Sequence, residues 1–304
     1  MAAAAAFTDI FFTARDGLKL HARHYHAKGT GSRRPVLCLP GLTRNARDFH
    51  EIASALAGDG PATRDVYALD YRGRGGSAFD RDWKNYAVPI EMLDVLDFLV
   101  VTGLHKPAVI GTSRGGLITM VMGAAQPTAL GPVVLNDIGP VIEQHGLARI
   151  AGYVGKTPLP HSWEDAARIV RDLDKASFPS IGDGEWDAVA RARFNEKNGR
   201  PAPGYDPKLA RSLSVLDGPI PALWPQFETL KHVPVMVVRG ELSDLLSSAT
   251  VAEMARRHPR FSSHTVPGQG HAPLLKDAPT IAAIGRFIAE SDHDEQAGIL
   301  AGAA

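Results

Sequence analysis

The chain has 304 residues, 44% of them hydrophobic, with Lys+Arg and Asp+Glu both at 33, so its formal charge is zero. That balance leaves no basic face for nucleic acid or an anionic membrane and favours a small neutral partner. A chain of this length accommodates one large domain with a substantial insertion around a sizeable core.

The opening run Met1-Ala2-Ala3-Ala4-Ala5-Ala6 lacks the basic start and the long apolar stretch of a signal peptide and reads as a frayed tail. No apolar run approaches the roughly 18 residues of a membrane-spanning helix, so a soluble, cytoplasmic protein is expected. Next, segments 10–13 and 18–26 flank Arg15-Asp16-Gly17, a hairpin signal. Segments 35–39, 65–69 and 107–110 are apolar throughout and separated by helix-like stretches. Strands of that kind are covered on both faces, which implies a parallel sheet with crossover helices. The single cysteine, Cys38, falls in Val36-Leu37-Cys38-Leu39, cannot form an internal disulfide, and reads as a buried core thiol.

The helix before 107 carries Pro89 in its first turn. Met92, Leu93, Val95, Leu96, Leu99 and Val100 are assigned to its inner face, and Glu91, Asp94 and Asp97 to its outer face. After another strand at 132–136 the strand pattern does not return until 233–239. The interval 138–230 is expected to be an inserted, mostly helical lid on a core formed by 1–137 and 231–304. Inside it, Ser162-Trp163-Glu164-Asp165 has the form of a capping box, and Trp186, Val189, Ala190 and Phe194 share a helical face. A helix at 249–257, a strand at 261–266, a loop bearing His271, a helix at 279–290 and a loose alanine-rich tail at 298–304 complete the reading.

The chemistry concentrates at Ile110-Gly111-Thr112-Ser113-Arg114-Gly115, where an apolar strand turns abruptly into a helix. Ser113 stands in the G-x-S-x-G spacing of a nucleophile elbow, which lifts a hydroxyl to the start of a helix. A serine hydroxyl needs a base, a group to orient that base and donors for the oxyanion. His271, in Gly268-Gln269-Gly270-His271, follows the last strand, and Asp244 follows the one before. The order Ser113, Asp244, His271 puts all three at one sheet edge. Asp137 also ends a strand and is the alternative acid; its other reading is an anchor for the lid entrance. The segment is no phosphate loop, since it lacks a Gly-Lys-Ser/Thr ending.

With these motifs, the chain resembles the α/β-hydrolase family in its capped, serine carboxylesterase-like branch. Leu39-Pro40-Gly41-Leu42 is similar to the family's oxyanion loop, and Asp70-Tyr71-Arg72-Gly73-Arg74-Gly75-Gly76-Ser77 to its Asp-x-Arg-Gly-x-Gly-x-Ser loop. Many relatives have His-Gly where Pro40-Gly41 stands. Because the donor is a backbone group, that change bears on loop stiffness more than on mechanism. The resemblance implies an α/β fold with a mostly parallel eight-stranded sheet, flanking helices and an inserted helical cap. It implies a two-step acyl transfer through Ser113, with Asp244 steadying His271 and the N–H groups of Leu42 and Arg114 receiving the oxyanion. The expected substrate is a carboxylic ester with small to medium apolar groups, and no cofactor is required. Lactones, thioesters and carbon–carbon bonds use the same three residues, and a ligand-binding receptor is the rival of another class. A homodimer is compatible with this reading.

The lid aromatics Tyr153, Trp163, Trp186, Phe194 and Trp224 either line an apolar pocket or pack the lid onto itself, and Tyr153, Trp163, Trp186 and Trp224 are the candidates to face the substrate. Arg72 and Arg74 could grip an anion, but tying down their glycine-rich connector is the favoured role. His21, His24 and His26 lie close in sequence, and His24 and His26 share a strand face. No third ligand follows at a metal-site spacing, so these histidines read as exposed hairpin residues and no metal is expected.

Overall fold

The structure, a computed structural model, describes residues 7–29, 33–59, 63–214 and 221–302, the side chains of 213, 214 and 293–302 excepted. The run Met1 to Ala6 lies outside them.

The chain opens with β1 (Thr8–Thr13) and β2 (Lys19–Tyr25), paired antiparallel across the Asp16-Gly17 turn. Then come β3 (Val36–Leu39), α1 (His50–Ala57), β4 (Val66–Asp70), α2 (Val88–Thr102), β5 (Ala108–Thr112), α3 (Arg114–Ala125) and β6 (Val133–Asn136). The next part is helical: α4 (Gln144–Tyr153), α5 (Trp163–Asp174) and α6 (Trp186–Arg193), the short hairpin β7 (Asn195–Lys197) and β8 (Arg200–Ala202), then α7 (Ala210–Ser214) and α8 (Trp224–Glu228). The fold closes with β9 (Val235–Gly240), α9 (Ser248–Arg257), β10 (Phe261–Val266) and α10 (Ala278–Gly302). Because α10 continues to Gly302, the expected loose tail from 298 is helical up to that residue.

Eight strands form one sheet in the order β1-β2-β4-β3-β5-β6-β9-β10. Only the β1–β2 and β2–β4 pairs are antiparallel. The apolar runs of the central strands are continuous because alternate side chains enter two cores. Leu37, Leu39, Val109, Val133, Leu135, Val235 and Val237 pack on one side with Val95, Phe98 and Ile118. Val36, Cys38, Ile110, Val134, Met236 and Val238 pack on the other with Ile52, Leu56, Ile284 and Ile288. Cys38 is fully buried, and that burial pushes its thiol up, away from the reactive thiolate. Among the described residues no helix is long and apolar enough to cross a membrane.

The face assigned to α2 needs correction. Glu91 and Asp94 are buried, at 0% and 1% exposure, whereas Val100 is 81% exposed. The reason lies in the connector after β4. Arg72 donates from Nε and Nη2 to Asp94 at 2.7 and 2.5 Å, and from Nη1 to Asp80 at 2.6 Å. Arg74 donates from Nη1 to Glu91 Oε1 at 2.6 Å and from Nε to the Leu42 carbonyl at 2.8 Å. The arginines therefore stitch the connector to α2 and to the loop after β3, and buried charge draws its partners inward. That is the structural role favoured for Arg72 and Arg74.

Within the helical part, Ser162 Oγ caps α5 by accepting from the Asp165 N–H at 3.1 Å. Asp165 does not return to the Ser162 amide as a full capping box would; it accepts from the His161 N–H. Ala166, Val170, Trp186, Ala190 and Phe194 form a small core of their own, with Trp163 and Val189 against it.

Candidate active site

Sterics at the end of β5 raise Ser113. Its φ is +51°, and a Cβ at Gly111 would lie 2.7 Å from the Gly115 backbone, while one at Gly115 would lie 2.1 Å from the Leu39 carbonyl oxygen. No side chain fits at either position, so the strand can fold straight back into α3. Arg114 is the first residue of α3, and its N–H has no carbonyl one turn earlier. Its side chain is fixed by Glu91 Oε2 at 2.6 Å and the Tyr86 carbonyl at 3.0 Å.

The loop after β10 returns His271 to the serine. Nε2 lies 2.9 Å from Ser113 Oγ and Nδ1 lies 2.8 Å from Asp137 Oδ2. Asp137 follows β6 directly, is fully buried, and holds φ at +54°. Its Oδ1 accepts from the Gly240 N–H at 2.8 Å, and its Oδ2 accepts from Ser243 Oγ at 2.6 Å. The carboxylate is thus held on both oxygens.

The acid expected beside the imidazole is not Asp244. Both Asp244 oxygens accept from Arg149 of α4, at 2.6 and 2.8 Å, and this bidentate bond holds the carboxyl below its ordinary value. The backbone explains the turn away. The Gly146 N–H donates to the Asp244 carbonyl at 3.1 Å and the Glu143 N–H to Leu245 at 3.0 Å, drawing this stretch to the start of α4. Ser243, the preceding residue, points to Asp137 instead.

The model of the alpha/beta hydrolase family matches residues 36–283. The chain belongs to the alpha/beta hydrolase family. A 3-hydroxybutyrate-oligomer hydrolase of Cupriavidus necator is 34% identical over 278 residues, which is 88% of this chain and 93% of that protein. An esterase of Mycobacterium tuberculosis is 27% identical, covering 80% of this chain and 78% of its own. The crystal structure of an alpha/beta hydrolase from Novosphingobium aromaticivorans superposes with a TM-score of 0.86 at 40% identity, over 94% of this chain and 99% of that one. Hydrolase chemistry, with ester hydrolases among the relatives, accordingly frames the rest of the site.

In this alpha/beta hydrolase a cavity of about 680 Å³ opens in front of Ser113 and His271. Gly41 and Leu42 form part of its wall, and a Cβ on Gly41 would come within 3.9 Å of the Ser113 Cβ. Phe49, Ile150, Tyr153, Phe178, Ile181 and Val189 supply apolar surface, and burial pushes the Tyr153 hydroxyl pKa up. The wall is not wholly apolar, because Arg44, Arg47, Arg149 and Arg193 also line it.

Of the expected pocket aromatics only Tyr153 lies there. Trp186 is 2% exposed inside the small helical core. Trp163 lies under the Arg191 guanidinium and donates its indole N–H to the Gly199 carbonyl. Trp224 packs beside Phe227 with Arg257 over its ring. All three serve packing, which is where rings this large bury most area. Phe178 and Ile181 of the pocket were not singled out in the sequence. They lie between α5 and α6, in a stretch without periodicity to mark an inner face.

His21 is also not an exposed hairpin residue. It is buried between Asp70, 2.7 Å from Nδ1, and Asp9, 2.9 Å from Nε2. Burial alone would lower its pKa, but the two carboxylates outweigh it and hold it above the ordinary value.

Proposed function

We propose that this alpha/beta hydrolase is a serine esterase that cleaves carboxylic esters through an acyl-enzyme on Ser113. The observation that carries the reading is the hydrogen-bonded chain from Ser113 Oγ through His271 to Asp137. Ser113 Oγ attacks the ester carbonyl while its proton passes to His271 Nε2. Asp137 keeps the other proton on Nδ1 and stabilises the imidazolium. The carbonyl oxygen, now an oxyanion, accepts from the N–H groups of Leu42 and Arg114; one such donor is typically worth about 3–4 kcal/mol in the transition state. The alcohol leaves with the proton from Nε2. Water then gives a proton to Nε2, attacks the acyl carbon and releases the acid, and Ser113 recovers its proton. None of these steps needs a cofactor.

The amphipathic cavity, where Asp48 and Asp174 already pair with Arg44 and Arg193, supports a short ester with an apolar chain and an anionic end near Arg47. Oligomers of 3-hydroxybutyrate, named for the Cupriavidus necator relative, are short esters ending in a carboxylate, which agrees with that wall. The deciding experiment exposes the protein to p-nitrophenyl butyrate and to a 3-hydroxybutyrate dimer. Turnover should appear together with a transient acyl mass on the peptide containing Ser113. Turnover without modification at Ser113, or no turnover of either ester, would reject the reading.

A further inference from the structure

The pair His24 and His26, left without a third ligand by the sequence, acquires one in the fold. β2 runs antiparallel to β4 with His24 opposite Tyr67 and Tyr25 opposite Val66. Carried one step further, this register sets His26 against Asp65, the residue just before β4. One ligand atom from each of His24, His26 and Asp65 lies within 4.8 Å of the others. His24 Nε2 is already 2.8 Å from Asp65 Oδ1, and the Ala27 N–H donates to the same oxygen at 3.3 Å. The His24 ring is stacked on Tyr67, at 4.1 Å and 13°, and the His26 ring is held from β1 by a 2.9 Å bond between Nε2 and Thr8 Oγ1.

We propose that His24, His26 and Asp65 bind a first-row divalent transition cation such as Zn²⁺. An ion about 2.0–2.2 Å from each ligand atom sets tetrahedral neighbours roughly 3.3 Å apart. The end of the β2–β4 pair reaches that spacing by small rotations of His26, an exposed residue whose ring lies 3.8 Å from that of His24. Two imidazoles and one carboxylate suit zinc, nickel, cobalt or copper, not the all-oxygen shells of magnesium or calcium. Three protein ligands leave a coordination position for water. The Thr8 hydroxyl bonded to Nε2 restrains the His26 ring, the task that outer hydrogen-bond partners perform for metal-bound histidines. The site stands at the start of β4, whereas Ser113 follows the end of β5, a strand running in the same sense. The two sites therefore occupy opposite edges of the sheet, and the cation acts as a clamp between β2 and β4.

The test uses the untagged, chelator-treated full chain, titrated with ZnCl₂ at pH 7.5 by calorimetry and followed by thermal melting. Saturable binding of one ion per chain is expected, with a Tm that climbs with Zn²⁺ concentration. The double variant H24Q/H26Q should bind roughly tenfold or more weakly and lose the Tm rise. Its ester turnover and its melting without metal should match the parent, which shows that it folds. A His105→Gln variant on an exposed turn should bind as the parent does. Absence of saturable binding, equal binding by the double variant, or an equal response to MgCl₂ would overturn the proposal.

Discussion

Ser113 and Asp137 both sit at positive φ, a conformation that costs a non-glycine residue of order 1–3 kcal/mol and persists only where surrounding structure holds it. Removing the hydroxyl leaves that backbone intact. Ser113→Ala should therefore keep the parent Tm while ester turnover drops by about 10⁴-fold or more, read from initial rates with p-nitrophenyl butyrate. The acid separates by the same measurement. Asp137→Asn takes away the acceptor that fixes the His271 tautomer and should lower kcat by about 10⁴-fold. Asp244→Asn only loosens Arg149 and should cost kcat less than about tenfold, because Asp244 does not touch the imidazole. The reverse ranking would mean that Asp244 orients the base. Ser113 and His271 were legible as candidates because glycine spacing is a local steric statement. Which aspartate meets the imidazole was not, because that depends on how the β9–α9 loop is pulled towards α4 by backbone bonds that no spacing encodes.

Helix α2 illustrates the same limit in one element. Its apolar positions located the helix and most of its inner face. A helical wheel, however, sends acids outward by default, and here Glu91 is enclosed between Arg74 and Arg114, at 2.6 Å from each. The clue was present as two arginines in a glycine-rich connector and two acids three residues apart on the next helix, but only their pairing in space makes it readable. Burial by itself pushes the Glu91 carboxyl up, yet the guanidinium groups of Arg114 and Arg74 prevail and hold it below the ordinary value. A carboxyl with its folded pKa depressed binds fewer protons than in the unfolded chain. Its contribution is thus complete above about pH 4.3 and disappears as pH falls through the lower folded value. Glu91→Gln leaves two buried cations uncompensated, a loss of about 3–5 kcal/mol. At pH 7 its Tm should fall by about 5–10 °C. Melts from pH 7 to pH 3 should show the gap between parent and variant narrowing below pH 4; a constant gap would mean that Glu91 is not charged in the folded protein.

For the molecule as a whole, the parallel sheet was readable because strands buried on both faces carry unbroken apolar runs, and the site edge followed from chain order. The pocket wall was not readable, since large aromatics between two sheet strands could equally serve packing, as Trp163 and Trp186 do in the small helical core and Trp224 does beside Phe227. The helical part instead contributes Arg149, Ile150 and Tyr153 from α4 and Arg193 from α6. Three of the four cavity arginines have carboxylate partners: Arg44 with Asp48, Arg149 with Asp244 and Arg193 with Asp174. Arg47 differs. Its Nε and Nη2 donate to the Ala192 and Phe194 carbonyls and to Asn195 Oδ1, and among the described residues no carboxylate lies within ion-pair distance of it. An anionic end on the substrate would find its least neutralised charge there. A hydrogen bond to a charged group contributes about 1.5–3 kcal/mol, or tenfold and more in kcat/KM. A p-nitrophenyl glutarate monoester should accordingly be cleaved with higher kcat/KM than its methyl-capped neutral counterpart, and the advantage should shrink between 50 mM and 500 mM NaCl. Arg47→Gln should lower kcat/KM for the anionic ester about tenfold while leaving the neutral one within about twofold. Equal losses on both esters would show that Arg47 serves only to hold residues 192–195, and a parent enzyme indifferent to the charge would remove the carboxylate from the proposed substrate.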